Sequence, residues 1–551
     1  MIELLDTTLR DGAQAEGITF SLEDKKQITL ALDELGIQWI EAGNPGANPM
    51  DEQFFRQMED VRLRYATLVA FGSTCRPGFN PSGDPALKKL FDCSAPVKTV
   101  FGKSAISQAV HVLRCEPAEN LRMISDTISF LKESGCRVWF DAEHFFDGYL
   151  ENQAYALRTL QYAKAAGADR IVLCDTRGAT LPDQIAAICQ AVRKQIQIPL
   201  GIHCHNDCGL AVACSLEAVL SGCDQVQGTI GGIGERCGNT DLCTMIPLLS
   251  LKKQLPCLPE GNLRKLTHIS RSISEIMNVV PNTNAPFIGH SAFAHKAGMH
   301  IDGVLKDAHT YEQINPEDVG NQRRFLISDQ TGRAGMYARL GKLFPDLNRD
   351  SAEMALLIRR LKEREADGYT YENADGSFEL LALDTLGRRP RFFQVMDYHV
   401  LCQRLNPSPD PGAPSAQAYL KVNVNGKEEI NAAEGDGPVN ALDLALRKTL
   451  SLFFPSVSKM SLQDFKVRVL NSVGTASLVR VSIESSDGIH IWNTVGVSNN
   501  IIEASLKGLI DSVDYMLTNY VPREEVLNHF SAEAGMNPPD QSFIYWRNQR
   551  S

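Results

Sequence analysis

The sequence predicts an α/β fold: a closed (β/α)8 TIM barrel, a helical linker region, and a C-terminal α+β domain with a doubled ββα unit. Over roughly the first 260 residues, short apolar runs alternate with amphipathic stretches, the pattern of parallel strands covered by helices. A weak internal repeat near the C-terminus is the second observation. We place the domain boundaries at 1–262 for the barrel, 263–387 for the linker, 388–525 for the C-terminal domain and 526–551 for a peripheral tail.

Eight strand candidates follow one another at intervals of roughly 25 to 35 residues, a length typical of repeated βα units. They are Ile2–Asp6, Ile37–Ala42, Ala66–Phe71, Val97–Phe101, Arg137–Asp141, Arg170–Cys174, Leu200–His203 and Gln225–Gly228. Between the first two, Ser21 and Asp24 have the spacing that caps a helix, and Gly36 lies where that helix would end. Eight units favour a closed barrel. The alternative is an open doubly wound sheet, but no G-x-G-x-x-G motif follows the first strand.

The second half of the chain changes character. Polar helical sequence with loops runs from about residue 262 to 385, and the Pro-rich stretch Asn406–Pro414 then separates two strand-like runs. Two segments, which begin at Val422 and Val481, each have the pattern strand, turn, strand, Gly-containing turn, helix. Two such ββα units can pack face to face and bury one shared core. The polar sequence from about Val521 predicts a peripheral end.

The composition argues against several classes of function. The 551 residues carry a formal net charge of -11, which argues against nucleic acid as a partner because a phosphate binder needs a basic face. No apolar run of about 18 residues predicts a membrane span, and the N-terminus lacks the features of a signal peptide. The 14 cysteines form no C-x-x-C pair, and Cys174 and Cys214 lie in apolar segments. We therefore expect reduced, mostly buried thiols and a cytoplasmic protein.

Reactive side chains follow the predicted strands at their C-terminal ends, where the active site of a TIM barrel lies. After strand one, Asp11 offers a hard oxygen ligand, and Arg10 offers a fixed cation for a carboxylate or an enolate oxygen. After strand seven, His203 and His205 are two residues apart, so both imidazoles can face one ion. After strand eight, Asn239 in a Gly-rich loop could reach the metal or its surroundings. Taken singly, an Asp-Gly turn, two separate histidines and a plain closing loop explain these residues equally well.

Three further residues are candidates for chemistry. Glu143 follows strand five and suits acid–base work, and the hydroxyl of Thr176 after strand six could bind a substrate carboxylate. His300, in the linker region, could transfer a proton if it were brought over the barrel mouth. Each of these alone, like Glu41 at the end of strand two, is more simply structural. Their convergence at one rim favours a catalytic role.

Four segments together resemble the DRE-TIM metallolyases: LLDTTLRDGAQ, IEAGNPGANPMDEQFF, GIHCHNDCGLAVACSLEAVLSGCDQVQGTIGGIGERCGN and HKAGMHIDGVL. They are most similar to the branch that contains the 2-isopropylmalate, homocitrate and citramalate synthases. The strings AEGDGPVNALDLALRK and TVGVSNNIIEASLKGLIDSV are similar to the regulatory domain of that branch, so the resemblance covers nearly the whole chain. DAEHFFDGY, VLCDTRGATLP and GDGPVNALD favour the citramalate synthase subgroup. Arg177 and the segment SAISQAV depart from that subgroup, which leaves the identity of the 2-oxo acid open.

The resemblance implies a metal centre. Asp11, His203 and His205 would bind a divalent ion, with Asn239 at or near it. An Asp and two His accept zinc, manganese or magnesium, so the ion itself stays open.

The resemblance also implies a reaction, a metal-dependent Claisen-type condensation of acetyl-CoA with a small 2-oxo acid. Arg10 would bind substrate and stabilise the oxyanion, Glu143 and His300 would take part in proton removal from the acetyl methyl group, and Thr176 would hold the oxo-acid carboxylate. Pyruvate is the expected acceptor, and the product would be citramalate for isoleucine biosynthesis. The alternatives are 2-isopropylmalate or homocitrate synthesis with another 2-oxo acid, then a superfamily lyase, then a non-catalytic amino-acid sensor.

By the same resemblance, the C-terminal domain implies a homodimer and feedback inhibition by a branched-chain amino acid, isoleucine or leucine. The candidate effector contacts lie in two Gly-containing turns and are Gly435, Gly437, Gly496 and Ser498.

Overall fold

The computed structural model describes residues 1–326, 333–341, 343–402, 416–470 and 477–527. By contact, the chain divides into a barrel unit, Met1–Phe293 with Glu312–Arg323, and a C-terminal unit, Ala294–Tyr311 with the chain from Arg324 onward. The Pro-rich stretch Asn406–Pro414 and all but the first two residues of the predicted tail 526–551 lie outside the described residues. The four domain boundaries given above stay a prediction.

Eight parallel strands close into a barrel in the first unit, so the predicted fold class is confirmed. The strands pair in chain order, and the last pairs with the first. They are β1 Glu3–Asp6, β2 Trp39–Gly43, β3 Thr67–Ser73, β4 Val97–Lys103, β5 Arg137–Glu143, β6 Arg170–Asp175, β7 Leu200–Cys204 and β8 Gln225–Gly228. All eight strand predictions are confirmed, with ends that differ by one or two residues.

Helices separate these strands along the chain and follow the last of them. They are α1 Leu22–Leu35, α2 Pro49–Met58, α3 Pro85–Asp92, α4 Pro117–Lys132, α5 Phe145–Glu151, α6 Gln153–Ala165, α7 Pro182–Gln195, α8 Ala211–Leu220, α9 Leu242–Pro247 and α10 Leu266–Ile276. The caps predicted for α1 are confirmed. Ser21 and Asp24 form a capping box, and Gly36 ends the helix with φ of 95°.

Successive residues of each barrel strand point alternately to the surrounding helices and to the barrel interior, so both faces of the strands are packed. Leu4 and Ile40 belong to the large core between strands and helices, whereas their neighbours Leu5 and Trp39 belong to a separate small cluster with Trp139. This small cluster lies in the N-terminal half of the barrel interior, because its members come from the first residues of their strands. The barrel is therefore packed at that end, and space for a ligand is left at the other.

The C-terminal unit begins with short elements and helices. They are β9 Ala294–His295, α11 Gly298–Lys306, β10 Arg324–Phe325, α12 Arg333–Leu340, α13 Ala352–Ala366 and α14 Asp375–Thr385. β9 and β10 pair in parallel. The rest of the unit contains two sheets and their helices: β11 Gln394–Cys402, β12 Ala416–Val424, β13 Lys427–Gly435, α15 Pro438–Leu450, β14 Ser461–Val469, β15 Val479–Ser486, β16 Ile491–Ser498, α16 Ile501–Asn519 and α17 Arg523–Leu527.

The predicted repeat is present, and each copy has one more strand than the ββα pattern. β11-β12-β13 and β14-β15-β16 form two antiparallel sheets, with α15 packed on the first and α16 on the second. Both copies contribute to one continuous buried core. The sequence analysis missed β14, although its apolar Phe465, Val467 and Val469 alternate with Lys466 and Arg468 as in a half-buried strand.

Among the helices that the structure describes, none is both long and apolar enough to cross a membrane.

Candidate functional site

Three predicted ligands meet at the C-terminal end of the barrel. One ligand atom each from Asp11, His203 and His205 lies within 4.8 Å of the other two, and all three residues are buried. His203 Nε2 is 3.4 Å from Asp11 Oδ2 and 3.4 Å from His205 Nε2. Residues almost two hundred positions apart therefore form one compact cluster of an anionic oxygen and two imidazole nitrogens.

Strand geometry explains why the two histidines converge. His203 is near the end of β7 and His205 directly follows it, so both side chains point inward, while Cys204 between them packs into the outer core. On β8, Gln227 Oε1 accepts a hydrogen bond from His203 Nδ1 at 3.0 Å. That bond places the proton on Nδ1 and leaves the Nε2 lone pair directed at the cluster.

The charge states of the cluster suit a cation. Burial alone would raise the pKa of Asp11, but Arg10 and the two imidazoles outweigh it and lower that pKa to about 2. Burial lowers the pKa of His203 to about 3. At neutral pH the cluster therefore offers an ionised carboxylate and a neutral imidazole at His203, the forms in which these groups bind metal ions.

The predicted position of Asn239 beside this cluster is also present in the structure. Asn239 Nδ2 donates to the carbonyl of Ile233 at 3.1 Å, which fixes the amide plane. Within the described residues, Asp11 Oδ1 and Asn239 Oδ1 are buried and accept no hydrogen bond of normal geometry. A Cβ on Gly234 would lie 2.1 Å from Asn239 Nδ2, so only glycine allows this close approach. Two buried oxygens without donors leave room for a cation.

Arg10 is a rigid cation next to the cluster. Its Nε donates to Glu41 Oε2 at 2.5 Å, and Nη1 donates to Asp11 Oδ2 at 3.2 Å. The guanidinium carbon lies 3.8 Å from the centre of the Phe71 ring, which stacks on Phe101. Burial works to lower the pKa of Arg10, but Glu41 and Asp11 outweigh it, so the pKa is raised and the charge is permanent. Glu41, suggested from its place at the end of β2, thus anchors Arg10.

A pocket of about 200 Å³ opens on these groups. Its walls are formed by Arg10, Asp11, Gln14, Phe71, Phe101, Asp141, Glu143, Cys174, Thr176, His203, His205, Glu235 and Arg236. Of the residues predicted to be catalytic or to bind substrate, Arg10, Glu143 and Thr176 line it, and His300 belongs to the other unit. The volume suits a small acid beside a two-carbon acyl group.

Glu143 and Thr176 are both held by neighbours. Glu143 Oε2 lies 2.6 Å from Lys103 Nζ, an ion pair between the ends of β5 and β4. Thr176 Oγ1 accepts a hydrogen bond from the backbone N–H of His144 at 2.8 Å, which leaves its own O–H free to donate into the pocket. The geometry therefore places an acid–base group and a hydroxyl donor on the same wall.

His300 lies on α11 in the C-terminal unit. Its ring is exposed and stacks on Tyr311 with 4.4 Å between ring centres. Its predicted catalytic role therefore stays a prediction. Tyr311, its ring partner, was not singled out from the sequence, where no local motif marks it.

Close packing accounts for two of the four candidate effector residues but not for the other two. A Cβ on Gly435 would lie 2.5 Å from Ala441 N, and one on Gly496 would lie 1.9 Å from the carbonyl oxygen of Ala504. Close packing of strand on helix thus accounts for both glycines. No heavy atom lies within 4 Å of a Cβ placed on Gly437, and Ser498 Oγ accepts from Asn500 N at 3.3 Å. Their role in effector binding stays a prediction.

Several polar residues of the site were not singled out from the sequence, among them Gln227, Lys103 and Arg236. Gln227 and Lys103 carried a usable signal, because each is polar at a position near the end of an apolar barrel strand. Arg236 lies in the GIGERCGN string that carries part of the family resemblance, but its contacts with Asp207 and Thr176 are distant in sequence and needed the structure.

Family models match nearly the whole chain in three segments. Residues 1–273 match the HMGL-like family, 287–368 the homocitrate synthase post-HMGL domain-like family, and 372–517 the LeuA allosteric (dimerisation) domain.

Full-length relatives decide among the branches of the predicted family. The (R)-citramalate synthase of Synechocystis is 47% identical over 523 residues, which cover 93% of this chain and 96% of that protein. The (R)-citramalate synthase of Geobacter sulfurreducens is 46% identical over 520 residues, which cover 94% and 98%. The chain belongs to the (R)-citramalate synthase family. The 2-isopropylmalate synthase of Methanocaldococcus jannaschii is more distant, at 29% identity with coverage of 94% and 95%. The subgroup predicted from the sequence motifs is confirmed.

Proposed function

We propose that this chain is a citramalate synthase that condenses acetyl-CoA with pyruvate and hydrolyses the thioester, releasing citramalate and CoA. The observation that carries the proposal is the buried cluster of Asp11, His203 and His205 beside Arg10, in a pocket of about 200 Å³. Near-full-length similarity to (R)-citramalate synthases supports the acceptor and makes the R enantiomer the expected product.

The cluster fits a resident divalent ion. Asp11, His203 and His205 would hold it, with the free Oδ1 of Asn239 as a further oxygen ligand or a close neighbour. Three protein ligands leave positions open for a substrate. When bound, the ion would act as a Lewis acid that polarises the keto group of the 2-oxo acid. Zinc, manganese and magnesium all suit this donor set.

Arg10 supplies fixed positive charge where negative charge develops. The methyl group of a thioester is a weak carbon acid, so its enolate oxygen and the later alkoxide both need stabilisation. Glu41 and Phe71 hold the guanidinium in place, which means that little reorganisation is needed during the reaction. Thr176 donates its hydroxyl hydrogen to the carboxylate of the 2-oxo acid and so orients the keto carbon towards the enolate.

Proton movement involves Glu143 and, by the family resemblance, His300. Glu143 removes, or helps to remove, the methyl proton, with Lys103 as its partner across the pocket wall. The enolate carbon then bonds to the keto carbon of pyruvate, and the alkoxide takes up a proton. Water then attacks the thioester carbonyl, and the C–S bond breaks to give the carboxylate and the CoA thiol.

The C-terminal unit supports a regulatory role. Its match to the LeuA allosteric (dimerisation) domain makes a homodimer the expected assembly and a branched-chain amino acid, isoleucine or leucine, the expected effector. Citramalate formation would then be controlled by the end product of isoleucine biosynthesis in the cytoplasm.

Acceptor profiling tests the proposal. Thiol release from acetyl-CoA is measured with pyruvate, 2-oxoisovalerate and 2-oxoglutarate, each with manganese, magnesium or zinc present. We expect release with pyruvate and at least about a hundredfold lower kcat/KM with the other two acids, because a pocket of about 200 Å³ bordered by Phe71 and Phe101 favours the smallest of the three side chains. Release only with 2-oxoisovalerate would instead indicate a 2-isopropylmalate synthase, and release only with 2-oxoglutarate a homocitrate synthase.

A further inference from the structure

One side chain from the loop after β8 joins the two preceding loops of the pocket rim. Arg236 donates from Nε and Nη2 to the two carboxylate oxygens of Asp207, at 2.8 and 3.0 Å. Its Nη2 also donates to the carbonyl oxygen of Thr176, at 2.8 Å. Asp207 lies in the loop after β7 and Thr176 in the loop after β6. A single guanidinium therefore connects three consecutive loops, with the paired geometry that arginine makes with a carboxylate.

The backbone around this bridge is shaped for close approach. Arg236 has φ of 57°, a left-handed conformation that costs a non-glycine residue free energy and persists only where its surroundings impose it. Gly178, two residues after Thr176, has φ of 59°, and a Cβ there would lie 2.7 Å from Asp207 N and from the carbonyl oxygen of His205. The loops thus meet tightly at the point that Arg236 bridges.

We propose that Arg236 is a positioning residue that fixes Thr176 for the carboxylate of the 2-oxo acid, through its hold on the Thr176 carbonyl and on Asp207. This inference rests on the proposed function. The hydroxyl of Thr176 is held on one side by the N–H of His144, and Arg236 holds the peptide of the same residue on the other. Loss of the bridge frees that peptide to rotate. The histidines of the metal cluster keep their places, because β7 and Gln227 hold them.

A direct contact between Arg236 and the acid is the competing explanation, since Arg236 also lines the pocket. Asp207 separates the two possibilities because it holds Arg236 without belonging to the pocket wall. If Arg236 acts through Thr176, removal of the Asp207 charge weakens oxo-acid binding. If Arg236 binds the acid itself, the same change releases the guanidinium, and binding is unchanged or tighter.

The experiment compares the full-length wild type with R236K, D207N and the double variant. Pyruvate KM and kcat are measured by thiol release at saturating acetyl-CoA and manganese, and pyruvate affinity is measured by calorimetry on the manganese-loaded proteins. We expect R236K to raise the pyruvate KM about tenfold, and D207N several-fold, with kcat within about threefold, because misplaced positioning groups weaken binding. The double variant should resemble R236K, because both changes break one bridge. Manganese affinity, measured by electron paramagnetic resonance, should stay within about threefold.

The matched control is R122K. Arg122 also donates to both oxygens of a carboxylate, Glu119, and to a backbone carbonyl, and its side chain is 38% exposed, against 43% for Arg236. It lies on α4 outside the pocket wall, so R122K should leave the pyruvate KM unchanged.

A raised KM in R236K with an unchanged KM in D207N would overturn the positioning role, and so would wild-type KM in both variants. A wild type that neither binds nor turns over pyruvate would overturn the proposed function and this inference together.

Discussion

The two ends of the barrel use polar residues in opposite ways. At the N-terminal end, Arg170 pairs with Glu3 and with Asp224 at 2.8 and 2.7 Å, and the indole N–H of Trp39 also donates to Glu3. At the C-terminal end, buried atoms without a hydrogen-bond partner among the described residues gather in one place: Asp11 Oδ1, Glu41 Oε1, His205 Nδ1 and Asn239 Oδ1. The C-terminal end therefore gathers unpartnered groups around Asp11, whereas the N-terminal end carries the satisfied network of Arg170, although the buried amide of Gln225 at the start of β8 also lacks a partner among the described residues.

This difference indicates where the molecule accepts a stability cost for function. A buried polar atom without a partner costs about 1–3 kcal/mol, and a ligand bound in the pocket beside these four atoms would explain why they gather there. Substitutions at the C-terminal end should therefore remove activity with little loss of stability. Substitutions at the N-terminal end should do the reverse.

The largest expected effect comes from H203A. Loss of a ligand at the cation cluster should lower kcat/KM for thiol release by at least about a thousandfold, since polarisation of the keto group depends on it. The thermal unfolding midpoint without added metal should stay close to that of the wild type, because the imidazole has one short hydrogen bond, with Gln227, beside two longer contacts of 3.4 Å to Asp11 and His205. Chelation of the wild type should mimic the variant, and added manganese should restore only the wild type. Persistent turnover in H203A would refute the metal assignment.

The converse test is R170M at the opposite end. This change removes two ion pairs from a guanidinium that is only 7% exposed, and we expect it to lower the free energy of unfolding by about 2–3 kcal/mol. The partial exposure of Glu3 and Asp224 keeps the loss below that of a fully buried pair. Urea unfolding measures the loss, and kcat/KM below the unfolding transition should stay within about twofold of the wild type. A large fall in kcat/KM at full folding would show that the two ends are not separable.

The barrel strands and the paired histidines could be predicted from the sequence alone. The barrel strands were predictable because both faces of each strand are buried, which makes continuous apolar runs such as Arg170–Cys174. His203 and His205 were predictable as a pair because strand geometry alone puts them on one face. β14 was missed although Phe465, Val467 and Val469 alternate with Lys466 and Arg468, so the sequence did carry a strand signal there.

Side-chain contacts between different loops of the barrel could not be predicted from local sequence patterns. Arg236 meets Thr176 across 60 positions, and Glu41 meets Arg10 across 31. No spacing rule links such residues, because the barrel closure and the loop conformations bring them together. The ligands of the pocket could thus be inferred from motifs, whereas the residues that hold Arg10 and Thr176 in place needed the structure.

The smallest expected effect concerns Asp6, which lies at the C-terminal end of β1 and is fully buried. Burial raises its pKa from 3.8 to about 7, although hydrogen bonds from the N–H and hydroxyl of Thr8 oppose the rise. Because the folded pKa exceeds the unfolded one, its contribution to stability is complete below about pH 4 and is lost as the pH rises to about 7.

The D6N variant isolates this contribution, because asparagine keeps the size and an acceptor oxygen but does not titrate. Between about pH 5 and pH 7.5, the free energy of unfolding of the wild type should fall by about 2 kcal/mol more than that of D6N. Urea unfolding at a series of pH values measures the difference, and D24N on the exposed cap of α1 controls for the loss of a carboxylate. If the free energies of unfolding of wild type and D6N fall in parallel with pH, ionisation of Asp6 does not destabilise the folded state. The stability cost at the C-terminal end of the barrel would then come only from the metal cluster and its neighbours. If the free energy of unfolding depends less on pH in D6N than in the wild type, the cost of burying a carboxylate extends to Asp6 on β1, outside the pocket wall.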